Sequence, residues 1–120
     1  MDIIKTNANP NDKRALYKLT RSKSIMVQDS PADVSVPVKL WALYNDPKET
    51  KDGDLKDQHV LSFVTDDGTK YSTISSTFVR EFMDIVDIMD GEEFAILFIH
   101  GTTKGGRDFV SCELDCDFIA

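Results

Sequence analysis

Two cations flanking two glycines, Lys104-Gly105-Gly106-Arg107, are the run in this sequence with the clearest chemical use. No acid stands closer than Asp108, so Lys104 and Arg107 make a small positive tip that either holds phosphate or simply solubilises a turn. It is not a P-loop, because Gly101-Thr102-Thr103-Lys104-Gly105-Gly106 lacks the Gly-Lys-Ser/Thr ending by which that motif grips a nucleotide. A second group is Lys39 and Trp41, two apart and therefore on one face of an extended segment. A tryptophan beside a lysine is what a base-stacking platform needs, at about 1–3 kcal/mol per base; the competing place for Trp41 is the core. The third group is Tyr17, set among Arg14, Lys18, Arg21 and Lys23. Interleaved rings and cations of this kind fit a site that tracks a polyanion and stacks its bases, and Phe63 and Tyr71 extend the set of rings.

Catalysis has little to work with. His59 and His100 have no Ser, Cys or carboxylate at a spacing that marks a catalytic family, so the chain is expected not to be an enzyme. Cys112 and Cys116 lie four apart in an alternating segment, which puts their Cα atoms roughly 13 Å apart, too far to bridge within one strand. Two cysteines and two histidines scattered over three segments do not converge as zinc ligands. Buried reduced thiols and no metal or cofactor are the expectation.

The net charge of −7 looks unfavourable for a polyanion partner, but its distribution matters more than its sum. Residues 1–28 hold six basic groups against two acidic ones, a local balance of +4, and the remaining 92 residues are at −11. An acidic body with a basic segment suits a protein that meets a polyanion on one face and stays dispersed through the other. At 120 residues, 41% apolar and 29% charged, the chain fits one globular domain. No apolar run approaches the roughly 20 residues that cross a bilayer, and Met1 to Pro10 carries no secretory apolar core. A cytoplasmic protein without a membrane partner is expected.

These groups need elements to position them. Residues 1–13, rich in Asn and Pro, offer nothing periodic and are expected to form a flexible arm before a single domain at 14–120. Ala15 to Val27 has too few apolar anchors for its period to decide, and is assigned as an irregular or strand-like lead-in. Val34, Val36, Val38, Leu40, Ala42 and Tyr44 alternate, predicting a strand from Val34 to Tyr44, with Pro37 marking an edge. A long mobile loop, Asn45 to Asp57, follows as a candidate for partner contact. Strands at His59–Thr65 and from Thr69 to about Ile74 join through Asp66-Asp67-Gly68, a strong hairpin signal.

Phe78, Phe82, Ile85, Val86 and Met89 share one stripe, predicting a helix over Ser76–Met89 capped by Ser75, Ser76 and Thr77 and ended by Asp90-Gly91. The acidic row Glu81, Asp84, Asp87 is its solvated side. The last strands, Phe94–His100 and Asp108 to about Phe118, are joined by Gly105-Gly106 in a tight turn. Three strands, a helix and two strands predict a mainly β chain with one helix. That is an OB-fold-like five-stranded barrel with the helix between strands three and four; an open sheet with one packed helix is the alternative.

Gly68-Thr69-Lys70-Tyr71-Ser72-Thr73-Ile74-Ser75-Ser76-Thr77, then an amphipathic helix, then Gly101 to Phe109, resemble the small single-stranded-DNA-binding proteins of tailed phages of Gram-positive bacteria that replicate linear genomes by protein priming. The likeness covers about Lys39 to Leu114, including Trp41-Ala42-Leu43-Tyr44. It implies a replication accessory that coats and protects displaced single-stranded DNA, with replication proteins as further partners, in the host cytoplasm. It also implies that barrel tyrosines bind DNA, with Tyr44 and Tyr71 in the matching positions. The face assignment puts Tyr44 with the apolar series, so the two readings disagree over it. The run Glu113 to Ala120 resembles loosely the acidic tip by which bacterial single-strand binders recruit partners, although its alternation suits a strand better. The DNA-binding candidates are therefore Trp41, Lys39, Tyr71, Tyr44, Lys104, Arg107, Tyr17, Lys18, Arg21 and Lys23. A rival of another class is a protein-interaction module, such as a phage or mobile-element inhibitor presenting its acidic surface.

Overall fold

The computed structural model describes residues 2–119. Among them the chain runs β1 (Asp2–Thr6), α1 (Lys13–Thr20), β2 (Ile25–Met26), a 3-10 turn (Val27–Asp29) and β3 (Ser35–Asn45). It continues through β4 (Lys48–Glu49), β5 (Leu55–Lys56), β6 (His59–Thr65), β7 (Lys70–Thr73), α2 (Ser76–Met89), β8 (Phe94–Thr102) and β9 (Asp108–Leu114). The main sheet has the order β2-β7-β6-β3-β8-β9, with β1 added on β3. β3, β6, β7, β8 and β9 are the five barrel strands, and α2 falls between the third and the fourth. The result is a curled OB-fold-like barrel. It stays open between β7 and β9, where the 3-10 turn touches both strands.

The interior is built on rings. Phe63 stacks on Tyr71, Phe78, Phe82 and Phe98 with centroids 5.2–6.2 Å apart, an arrangement that adds to simple burial. Phe78, Phe82 and Ile85 bring α2 into this core. The Ser75 hydroxyl accepts from the Phe78 N–H at 3.3 Å, and Asp90 ends the helix in the left-handed region at φ 45°. Both ends match the sequence expectation.

β3 departs from it. Pairing with β6 slips between Val38 and Leu40, and a one-residue bulge exchanges the faces of everything beyond it. Val36 and Val38 face the interior before the bulge, and Trp41 and Leu43 after it, while Leu40, Ala42 and Tyr44 turn outward. The series Val34 to Tyr44 therefore does not share one face.

That outward apolar patch needs a cover, and the N-terminal quarter supplies one. α1, absent from the sequence reading, is capped by Asp12, whose carboxylate accepts from the Ala15 N–H at 3.1 Å. It lays Ala15, Leu16 and Leu19 on Ala42, Tyr44 and Val64 as a second core. The supposed arm is also engaged: β1 pairs antiparallel with β3, Asp2 opposite Asn45 and Thr6 opposite Ala42. Asn7 then serves the bulge. Its amide donates to the Lys39 carbonyl at 3.0 Å and its amide oxygen accepts from the Trp41 N–H at 2.8 Å, so the backbone groups released by the slip find partners.

Three smaller expectations also change. The stretch after Asn45 folds back as the β4–β5 ribbon. The β8–β9 connection is Thr103 to Arg107, closed by Thr103 N–H to the Arg107 carbonyl at 2.8 Å, and only Gly106 (φ 79°), not Gly105, takes a positive φ. β9 stops at Leu114 and Asp115–Asp117 turn away, which leaves Cys112 buried but Cys116 exposed. Burial, helped by Glu81 and Glu113, pushes the Cys112 thiol up to about 12, so it is inert.

Candidate nucleic-acid interface

The structure divides the candidate residues into three groups. Trp41 and Tyr71 belong to the interior. Trp41 is 5% exposed and meets Phe82 edge-on at 6.3 Å, and Tyr71 is 7% exposed against Phe63 and Phe98. The stacking role expected of Trp41 does not fit this position, because the bulge has turned its ring inward. Lys39 sits exposed on the bulge and shares a small cleft with Glu92 and Glu93. Those carboxylates make it a poor place for phosphate. The cleft that Lys39 and Trp41 line does not include Lys104 or Arg107.

The second group gathers on the outer face of β3, β6 and β7. α1 carries Tyr17, which is 64% exposed, beside Arg14 and Lys18, with Arg21 and Lys23 following in the next few residues. Tyr44 lies beneath, its phenol 3.2 Å from the Ser62 hydroxyl. Burial raises the Tyr44 pKa; the Ser62 bond works against this, Asp46 adds to it and Arg21 opposes it. Arg21 is thus close enough to be felt by the ring. Tyr44 nevertheless remains 5% exposed, so in this conformation it supports α1 and presents no ring to a ligand.

Lys70, which the sequence reading passed over, completes this face. It projects outward from β7 because Tyr71 and Thr73 take the inward positions, an alternation already visible in Lys70-Tyr71-Ser72-Thr73. Its ammonium donates to the Ser22 carbonyl at 2.7 Å, just past the end of α1. The Ser24 and Ser72 hydroxyls meet at 2.7 Å on the same face. The ion pairs among the described residues are Lys5 with Asp87 and Arg80 with Glu81. Lys18, Arg21, Lys23 and Lys70 therefore lie around the exposed Tyr17, and among the described residues no carboxylate forms an ion pair with them.

The third group surrounds the opening of the barrel. A cleft of about 880 Å³ lies between the β8–β9 hairpin, Ser75 and Thr77 at the start of α2, and Gln28. Lys104 and Arg107 stand exposed at the hairpin tip. Phe109, 44% exposed, rests its ring over Gly101 on the facing strand, where any Cβ would collide with it. A glycine that shelters a cross-strand aromatic holds the ring flat and accessible. The Gly101–Phe109 pair is a signal for an exposed ring that the sequence already carried, though charge and ring spacing did not single it out. The segment Ser22 to Gln28 runs from the Lys70 face to this cleft, so the two groups are adjacent along the chain.

The His100 Nε2 is 3.1 Å from the Ser30 hydroxyl, and among the described residues no carboxylate forms an ion pair with either histidine. Among the described residues no three His, Cys, Asp or Glu side chains cluster as metal ligands, and no helix is long and apolar enough to cross a membrane.

A family model described as "Phage Single-stranded DNA-binding protein" matches residues 6–115. The single-stranded DNA-binding protein of Bacillus phage phi29 is 32% identical over 87 residues, covering 70% of this chain and 69% of the relative. That of Bacillus phage PZA is 32% identical over 65 residues, 52% of each chain. No solved structure matches.

Proposed function

Because the chain belongs to the phage single-stranded DNA-binding protein family, we propose that it binds single-stranded DNA without sequence preference and coats displaced strands during phage-type replication. Binding, not chemistry, is the role. Phosphates track along Lys18, Arg21 and Lys23, with the charge of the buried Lys70 beneath them, and along Lys104 and Arg107 at the hairpin tip, while bases rest on Tyr17 and Phe109. The observation that carries this reading is the surface made by α1 and β7, where cations lie beside an exposed ring and no acid pairs with them. Lack of sequence preference follows from the means used, since charge and π-faces are common to every nucleotide. The segment 2–12 works as part of the same OB-like unit, because it carries β1 and the Asn7 brace. The host cytoplasm is the proposed setting, with replication proteins as further partners.

Titration of a fluorescent oligo-dT at several salt concentrations tests the proposal. The affinity falls as salt rises, with a logarithmic slope of about −0.7 for each phosphate engaged. Absence of binding at low salt contradicts the function, and binding without salt dependence contradicts its mechanism.

A further inference from the structure

Lys70 is the one lysine or arginine among the described residues that is buried, at 5% exposed. A lysine whose side chain is packed away from water to this extent normally acquires a carboxylate or several acceptors. Lys70 has neither. Of its three N–H donors, one reaches the Ser22 carbonyl at 2.7 Å; that is its only side-chain hydrogen bond among the described residues. The charged group facing it from α1 is Lys18, a second cation. Across from it on β6 stands Val64, and the segment leading to β2 presents Ser22. Burial first, and then the charge of Lys18, bring the Lys70 pKa down to about 8. Ser22 ties the two lysines together, its carbonyl accepting from the Lys70 ammonium and its hydroxyl donating to the Lys18 carbonyl, so two cations share one corner of the fold where a single anion would relieve both.

We propose that Lys18 and Lys70, at the junction of α1 and β7, form a built subsite for one phosphodiester of the bound strand. This rests on the single-stranded DNA reading above and assigns a definite position within it. Lys18 supplies an approachable charge. Lys70 supplies a fixed one, anchored by Ser22, whose own hydroxyl donates to the Lys18 carbonyl at 2.6 Å. The helix end and the strand are thereby tied at the point where the phosphate lands. Occupancy also has a proton consequence. An anion beside Lys70 raises its pKa, so binding near or above pH 8 takes up a proton, and affinity weakens as pH rises through that range.

The test compares wild type, Lys18→Met and Lys70→Met for binding to oligo-dT across salt concentrations. It adds calorimetry above pH 8 in two buffers of different ionisation enthalpy. Each substitution is expected to lower the salt slope by about 0.7, and wild-type proton uptake is expected to vanish in Lys70→Met. A role confined to anchoring α1 predicts a lower melting temperature for Lys70→Met and no proton uptake when wild type binds. Wild-type binding without uptake, with the salt slope of Lys18→Met unchanged, overturns the subsite alone. Failure of wild type to bind overturns the DNA reading and the subsite together. Should Lys70→Met not fold, Lys18→Met and the wild-type proton count still decide.

Discussion

The two faces of the central sheet use aromatic residues in opposite ways. Inside the barrel Phe63, Tyr71, Phe98, Trp41 and the α2 phenylalanines pack on one another and face no solvent. On the outer face the apolar layer is thin, mostly Leu19, Ala15, Ala42, Val64 and Tyr44, and it carries an exposed ring and several cations above it. The interior supplies stability and the outer face carries the proposed binding surface, so a ring's residue type alone does not tell which task it serves. The bulge at Lys39 decides this for Trp41, and α1 decides it for Tyr44.

Substitution separates the two faces. The largest effect is expected where cover and surface depend on the same side chain. Leu19, fully buried, holds α1 on the sheet, so Leu19→Ala should cost about 2–5 kcal/mol in denaturant unfolding and weaken DNA binding as well. Phe63→Ala should match or exceed that stability loss while changing binding only as far as the protein unfolds. Tyr17→Ala is expected to leave the melting temperature unchanged and to cost about 1–3 kcal/mol of oligo-dT affinity. Equal affinities for Tyr17→Ala and wild type would remove Tyr17 from the surface. The smallest effect belongs to the hairpin tip. Lys104→Ala with Arg107→Ala should reduce the salt slope by about 1.4 if each cation meets one phosphate, with little change in melting.

Much of the interior was legible in the sequence, because period-two and helical patterns report burial directly. The hairpin at Asp67-Gly68, the span of α2 and the five barrel strands follow from such patterns. The outer face was obscured for three physical reasons. α1 has eight residues and only three apolar anchors, too few for a period to register. β1 is an edge strand whose Asp2, Ile3, Ile4 and Lys5 are all exposed, so no alternation advertises it. The bulge in β3 reverses parity in mid-strand, which makes a correct alternation point the wrong way for Trp41. Among the proposed site residues, the cations of residues 14–23 and of the hairpin tip stand out by charge and spacing, whereas Lys70 and Phe109 are singled out only by the neighbours that the fold gives them.

Amide hydrogen exchange with and without saturating oligo-dT tests the central claim most directly, since it reads both faces in one experiment. The account predicts slower exchange in residues 13–24, in β7 and around 102–109, with the α2 and β6 core unaltered. Faster exchange throughout α1 on binding would contradict it, because the helix would then be leaving the sheet to let Tyr44 meet the bases.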